Sequence, residues 1–266
     1  MAFKRAVRQR KKAKVGFIGP SGSGKTYSAI LFARGIAGKN GTIAFLDSEK
    51  GSSTLYSDLT PFDVDFLEPP YSVETYTNGI DEAIANNYDV LVIDTISPVW
   101  ESLLGEHDKI TRRTGNSFTA WARITPMYNE FVQKILESDI HLIMTIRAKT
   151  RYDISTGQNG KMVPRKIGIG PQFRAGIEYE PDLTFDMMSD GKDVVATVTK
   201  TRMSIFPIGE EFTPTIQHGE MLVDWLNSGK EYTPSQMIGN VHAEPPTVPE
   251  EVKESIFDKQ DVLWDE

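Results

Sequence analysis

The chain has 266 residues, 39% of them hydrophobic and 25% charged, with a formal net charge of −8 and no cysteine. That length and balance suit a soluble globular protein that buries a sizeable core as one large domain or two small ones. The lack of cysteine excludes disulfides, thiolate zinc sites and a cysteine nucleophile and fits a reducing cytoplasm, and no apolar run reaches membrane-spanning length.

Charge is unevenly distributed. Residues 1–14 hold Lys4, Arg5, Arg8, Arg10, Lys11, Lys12 and Lys14 without an acid. No apolar segment with a cleavage site follows, so this reads as a basic arm and not as a signal peptide. Lys14 to Ile18 is a short apolar strand, and it feeds Gly19-Pro20-Ser21-Gly22-Ser23-Gly24-Lys25-Thr26, a full match to G-x-x-x-x-G-K-[ST]. The glycines let backbone N–H groups turn inward onto phosphate oxygens. Lys25 supplies a point charge at the β- and γ-phosphates, and the Thr26 hydroxyl is placed to ligate Mg²⁺. From Tyr27 to Ala37 the pattern is helical, and a helix N-terminus attracts anions. The segment Gly19–Tyr27 is therefore the expected contact for ATP or another nucleoside triphosphate.

Further apolar runs at 42–47, 89–94 and 140–146 predict buried parallel strands. Helical patterns fall at about 25–37, 73–86 and 126–137, the last with Thr125 as N-cap and Pro126 at the first helical position. The alternation predicts an α/β fold, a mostly parallel sheet with helices on both faces. Later, Asp182–Met188 and Asp193–Thr201 flank the turn residues Ser189-Asp190-Gly191-Lys192, which predicts antiparallel strands at the C-terminal side. Residues 15–228 are the expected globular domain. From Gly229 onward the chain is rich in Pro, Glu and Ser, with nine acids against three lysines in residues 230–266, and 229–266 reads as a mostly disordered acidic tail.

Two strands end in acids. The run Tyr88 to Asp94 closes on a carboxylate followed by Thr95, where Asp94 either holds the Mg²⁺ shell beside the phosphate loop or caps the next helix. Ala44-Phe45-Leu46-Asp47-Ser48-Glu49 ends in carboxylates at the rim where ligands of open α/β folds sit. Hydrolysis needs a carboxylate to orient and deprotonate the attacking water.

Here the sequence resembles the RecA superfamily over roughly residues 13–210, with its motifs in RecA order. In that superfamily a glutamate two residues beyond a strand-terminal aspartate activates water, the position of Glu49; a solvated loop acid is the alternative. Lys200 and Arg202, two apart and hence on one face of a strand, match a Lys-x-Arg pair that reaches a neighbouring subunit's nucleotide; alternatively they are a charged sheet edge. The strand from Ile140 to Arg147 is similar to the one carrying a γ-phosphate sensor, with Thr145 in place of the usual glutamine. The segment 147–175 corresponds to the second DNA loop. It holds Arg147, Lys149, Arg151, Lys161, Arg165, Lys166 and Arg174 against Asp153, with Tyr152 and Phe173 near its ends. Basic charge follows a phosphate backbone and aromatic faces take unstacked bases, although a solvated loop has the same composition. Lys109–Arg123 sits where the first DNA loop falls, and Phe3-Lys4-Arg5-Ala6 matches an F-x-x-A subunit-docking peptide.

Compact chains of this kind look like phage-encoded RecA-core single-strand annealing proteins. The resemblance implies a Mg²⁺-dependent ATPase that binds single-stranded DNA and promotes annealing or strand pairing in the host cytoplasm. Its implied partners are DNA, further copies of the chain as ring or filament, and a single-strand-binding protein, but no membrane. Two other readings share the phosphate loop: a phosphotransferase acting on a small molecule, with 147–175 as its lid, and a slow regulatory ATPase working through partners.

Overall fold

The computed structural model describes residues 3, 5–8, 10–156, 162–189 and 191–229, and of residues 150–156 and 162–169 the backbone alone. The tail 230–266, Lys4 of the F-x-x-A peptide, Asp190 and Lys161 lie outside the described residues. Residues up to Lys230 belong to one compact unit.

The described strands are β1 (Lys14–Gly19), β2 (Ile43–Asp47), β3 (Asp63–Phe66), β4 (Val90–Asp94), β5 (His141–Thr156), β6 (Met162–Pro171), β7 (Leu183–Ser189), β8 (Val194–Thr201) and β9 (Glu211–Phe212). They form a sheet in the order β3-β2-β4-β5-β1-β7-β8-β9, with β6 paired to β5. The pairs from β3 to β7 along that order are parallel, while β7–β8, β8–β9 and β5–β6 are antiparallel. The helices are α1 (Lys25–Ala37), α2 (Val73–Ala85), α3 (Ser97–Thr114), α4 (Ser117–Glu137) and α5 (Ile216–Asn227). The expected α/β architecture is thus present.

Every residue of β1, β2 and β4 is buried, which is what a sheet covered on both faces requires. Alternation divides them between two cores. Leu91 and Ile93 join Leu46, Leu142 and residues of α2, α3 and α4 on one face. Val90 and Val92 join Val15, Phe17, Phe185 and residues of α1 and α5 on the other. Edge strand β3, Asp63-Val64-Asp65-Phe66, is mostly exposed and therefore lacks the apolar run that marks its neighbours.

Three expectations need correction. Helix α4 starts at Ser117 and not at Pro126: Asn116 Oδ1 accepts from the N–H groups of Phe118 and Thr119, and Pro126 lies inside the helix. Ala120 and Ile124 before the proline, and Tyr128, Phe131 and Ile135 after it, form one buried face. That burial outweighs an interior proline's cost of about 3 kcal/mol. In consequence Lys109–Arg123 is the end of α3, a turn at Gly115 and the start of α4, and not an open loop. The described residues of segment 147–175 are for the most part no loop either. Strand β5 runs on past the sheet and β6 returns along it as a two-stranded arm, while Phe173 is buried in the core and offers no stacking face.

The second half of the basic arm is docked. The Arg8 guanidinium lies 4.4 Å over the Trp225 ring, and Arg10 Nε donates to the Asn227 carbonyl at 3.3 Å. Both sit where α5 ends, and cations are favoured at a helix C-terminus. Lys11 pairs with Asp182 at 2.7 Å. Lys14 belongs to β1, where its ammonium donates to Ser138 O, Ser138 Oγ and Ile140 O. Burial lowers its pKa to about 8. The Ala13 N–H donates to His141 Nδ1 at 3.0 Å, and burial keeps that imidazole neutral down to a pKa of about 4.

Candidate functional site

Strands β1, β2, β4 and β5 are parallel, so their C-terminal ends share one rim, and register aligns what they carry there. Asp47 lies beside Asp94, Phe17 beside Thr145, and Gly19 beside Arg147. The phosphate loop crosses that rim between β1 and α1. Gly24, at φ 81°, occupies the left-handed region, and a Cβ there would come within 2.7 Å of Val194. A Cβ on Gly19 would meet the Met187 carbonyl at 2.7 Å. The β7–β8 hairpin therefore braces the loop from one side, and only glycine fits at either contact.

Within the loop, Lys25 Nζ donates to the Pro20 carbonyl at 2.8 Å. Burial lowers the Lys25 pKa, opposed by the charges of Asp94 and Glu49 and reinforced by Arg147. Those four groups thus form one electrostatic cluster. Ser23 Oγ is buried and has no hydrogen-bond partner among the described residues. Thr26 Oγ1 donates to Asp94 Oδ2 at 2.6 Å, and Thr145 Oγ1 donates to Asp94 Oδ1. Burial pushes the Asp94 pKa up, while the two hydroxyl donors pull it down. Thr145 therefore sits fully buried behind Asp94, orienting it. Exposed Tyr27, in the first turn of α1, faces the Tyr56 ring at 6.1 Å.

Glu49 stands on a turn built by its neighbours. Buried Asp47 accepts from the Glu49 N–H at 2.6 Å and from Ser53 N–H and Oγ–H. Ser48 N–H donates to the Asp94 carbonyl at 2.9 Å, and Ser48 Oγ accepts from Thr95 N–H at 2.9 Å. Tyr76 donates from α2 to the Thr95 carbonyl at 2.9 Å. The turns after β2 and β4 are tied together in this way, which holds Glu49 near Asp94. Asp47, Ser48 and Thr95 carry no sequence signal for this role beyond their place near strand ends, and Tyr76, within α2, carries none.

Arg147, expected among the DNA contacts, lies on the rim itself. Its Nε and Nη2 reach Glu49 Oε1 at 2.9 and 2.7 Å. Lys149 is exposed on the outer part of β5, while the side chains of Arg151, Arg165 and Lys166 lie outside the described residues. Arg174 is turned toward the body, its guanidinium 4.8 Å over the Tyr128 ring. Lys200 and Arg202 are at the opposite rim, because β8 runs against β7 and Thr201 pairs with Leu183 at the start of β7. Arg202 pairs with Asp182 at 2.9 Å. Lys200 Nζ has no hydrogen-bond partner among the described residues, and burial, with Arg202 nearby, lowers its pKa to about 8.

Among the described residues no three acids or histidines cluster as a metal cage. Mg²⁺ does not need one: it takes one or two carboxylates together with substrate phosphates. One buried carboxylate with a hydroxyl beside it fits that donor set, and the orphaned Ser23 hydroxyl fits a loop that wraps an anion.

A braced phosphate loop, a strand-terminal carboxylate behind it and a mostly parallel α/β sheet define a P-loop domain of the kind that binds nucleoside triphosphates. The chain belongs to the AAA domain family, whose model matches residues 11–213. A solved KaiC-like protein from the hyperthermophilic archaeon Pyrococcus horikoshii OT3 is 16% identical with a TM-score of 0.44, the match covering 79% of this chain and 94% of that one. No curated protein matches the chain. Among the described residues no helix is long and apolar enough to cross a membrane.

Proposed function

We propose that the chain is a Mg²⁺-dependent, DNA-stimulated ATPase that binds single-stranded DNA and promotes annealing or strand pairing in phage recombination, in the host cytoplasm. One observation carries this reading: Lys25, Thr26, Asp94 and Glu49 converge on the rim from which the basic β5–β6 arm rises. In it, the loop N–H groups and Lys25 hold the triphosphate, and Thr26 with Asp94 hold Mg²⁺, which supplies charge neutralisation at the phosphates when bound. Glu49 accepts the proton of the attacking water. Lys149, Arg151, Arg165 and Lys166 along the arm, with Lys161 of the same sequence segment, supply the charge for a phosphate backbone.

Lys200 and Arg202 lie on the rim away from their own phosphate loop, and in this reading they serve a neighbouring copy's nucleotide. The reading therefore includes a ring or filament of like subunits. The test is steady-state ATP hydrolysis at low salt with and without a thymidine oligonucleotide. A severalfold stimulation supports it. A rate that stays flat across the DNA titration, or the appearance of a phosphorylated small-molecule acceptor beside ADP, sinks it.

A further inference from the structure

We propose that the cationic cavity where β1 and β5 begin is a binding site for a small phosphate-bearing anion, separate from the phosphate loop. The inference does not depend on the ATPase reading. Strands β1 and β5 are parallel, so the loop lies at their other ends.

The cavity measures about 540 Å³, within the range of small-ligand pockets. Arg10, Lys11, Lys12, Lys14 and His141 line it. They differ in what they have left to offer a ligand. Lys11 is paired with Asp182 at 2.7 Å. Lys14 is 1% exposed, and its three N–H groups go to Ser138 O, Ser138 Oγ and Ile140 O. With a pKa of about 8 it is still mostly charged at pH 7, so it lends charge but no further bond. Lys12 has neither a hydrogen bond nor an ion pair among the described residues.

His141 adds a neutral donor. Its Nδ1 accepts from the Ala13 N–H at 3.0 Å and the buried ring is neutral, so the proton sits on Nε2. That N–H has no acceptor among the described residues. Two acids also line the cavity. Glu137 accepts from Gln133, one turn back along α4, at 2.9 Å, and Asp139 is exposed, where water and salt screen it.

An ordinary solvated face keeps its ammonium groups in water. Here a buried lysine, an unpaired lysine and an unpaired imidazole N–H share one cleft, and such clefts concentrate the field of like charges. Phosphate oxygens accept from both kinds of donor, most strongly from the charged one. Lys200 and Arg202 do not line this cavity: they stand at the end of β8, and β7 separates that strand from β1.

The experiment is an NMR titration of the full chain, its four histidine rings labelled, with pyrophosphate at constant ionic strength. The His141 ring is identified by its loss in His141→Asn. Pyrophosphate is expected to shift the His141 Nε2–H signal saturably, with a half-saturation on the order of 1 mM or tighter. Lys12→Gln should raise that concentration about tenfold, the worth of a charge-assisted hydrogen bond, with an unchanged melting temperature. Pyrophosphate also suits the phosphate loop, so the titration is repeated on Lys25→Ala, where the His141 response should persist. A ring signal that does not move, a response that Lys12→Gln leaves intact, or one that vanishes in Lys25→Ala overturns the proposal. So does a ring that answers a thymidine oligonucleotide and not pyrophosphate, which would assign the cavity to nucleic acid. Absence of ATP hydrolysis would sink the ATPase reading and leave this titration as decisive as before.

Discussion

At the scale of single residues, the phosphate loop concentrates its charge in Lys25. Lys25→Ala is expected to lower kcat by about two orders of magnitude or more, the usual loss when a preorganised charge at the reacting phosphate is removed. Activity within tenfold of wild type, measured as phosphate release, would contradict the site. Asp94 is a different case because burial disfavours its charged form. Asp94→Asn keeps an acceptor oxygen for one of the Thr26 and Thr145 hydroxyls, turns an amide N–H₂ toward the other, and removes the charge proposed for Mg²⁺. The apparent Mg²⁺ requirement should rise about tenfold or more while the melting temperature changes little, since the burial cost of the charge and one of its two hydroxyl hydrogen bonds are lost together. An unchanged Mg²⁺ titration would count against the assignment.

His141 gives a prediction in pH. Its pKa in the folded chain is lowered from 6.5 to about 4 by burial. Between those values the unfolded chain binds the extra proton, so stability is present above pH 6.5 and is lost as pH falls toward 4. The loss should amount to roughly 1–3 kcal/mol across that window. His141→Asn preserves an acceptor for the Ala13 N–H and should flatten the dependence in thermal melts. Parallel acid profiles for the two proteins would show that the imidazole is not the group responsible.

At the scale of elements, α4 carries its own weak point. Pro126 is exposed, lacks the N–H that would serve the carbonyl four residues earlier, and interrupts a helix whose buried face runs unbroken past it. Pro126→Ala should raise the melting temperature by roughly 2–5 °C with ATPase activity unchanged. A fall would mean that the proline sets a bend which the α3–α4 packing needs. The β5–β6 arm teaches a related lesson. Its glycines and charges are compatible with a loop, but Ala148–Thr156 and Met162–Pro171 pair strand to strand, which stiffens the arm that presents the basic side chains. Composition reports the charge of such a segment, and pairing with a partner distant in sequence decides its shape.

At the scale of the whole molecule, the two ends of the sheet hold different machinery. The phosphate loop, Asp94, Glu49 and Arg147 occupy the C-terminal rim, while Lys200, Arg202 and the docked arm with Lys11 and Asp182 occupy the other. A finger acting between subunits predicts that specific activity rises with protein concentration. It also predicts that mixing Lys25→Ala with Arg202→Ala, each nearly inactive alone, restores measurable hydrolysis, because some interfaces then pair an intact loop with an intact finger. Strictly additive, inactive mixtures would remove the trans role from the pair.

Local physics was legible along the chain. The phosphate loop, its flanking strand and helix, the buried parallel strands and the β7–β8 hairpin each depend on a run of a few residues, and period, glycine placement and turn chemistry determine such runs. What lay beyond reach was everything that depends on neighbours across the sheet. The edge strand β3 and the start of α4 were hidden because exposure and a proline masked their pattern. The Asp47 network, the burial of Thr145 behind Asp94 and the grip of Arg147 on Glu49 follow from strand order and register. Those join side chains dozens of residues apart, and only packing of the two cores against the sheet selects that register.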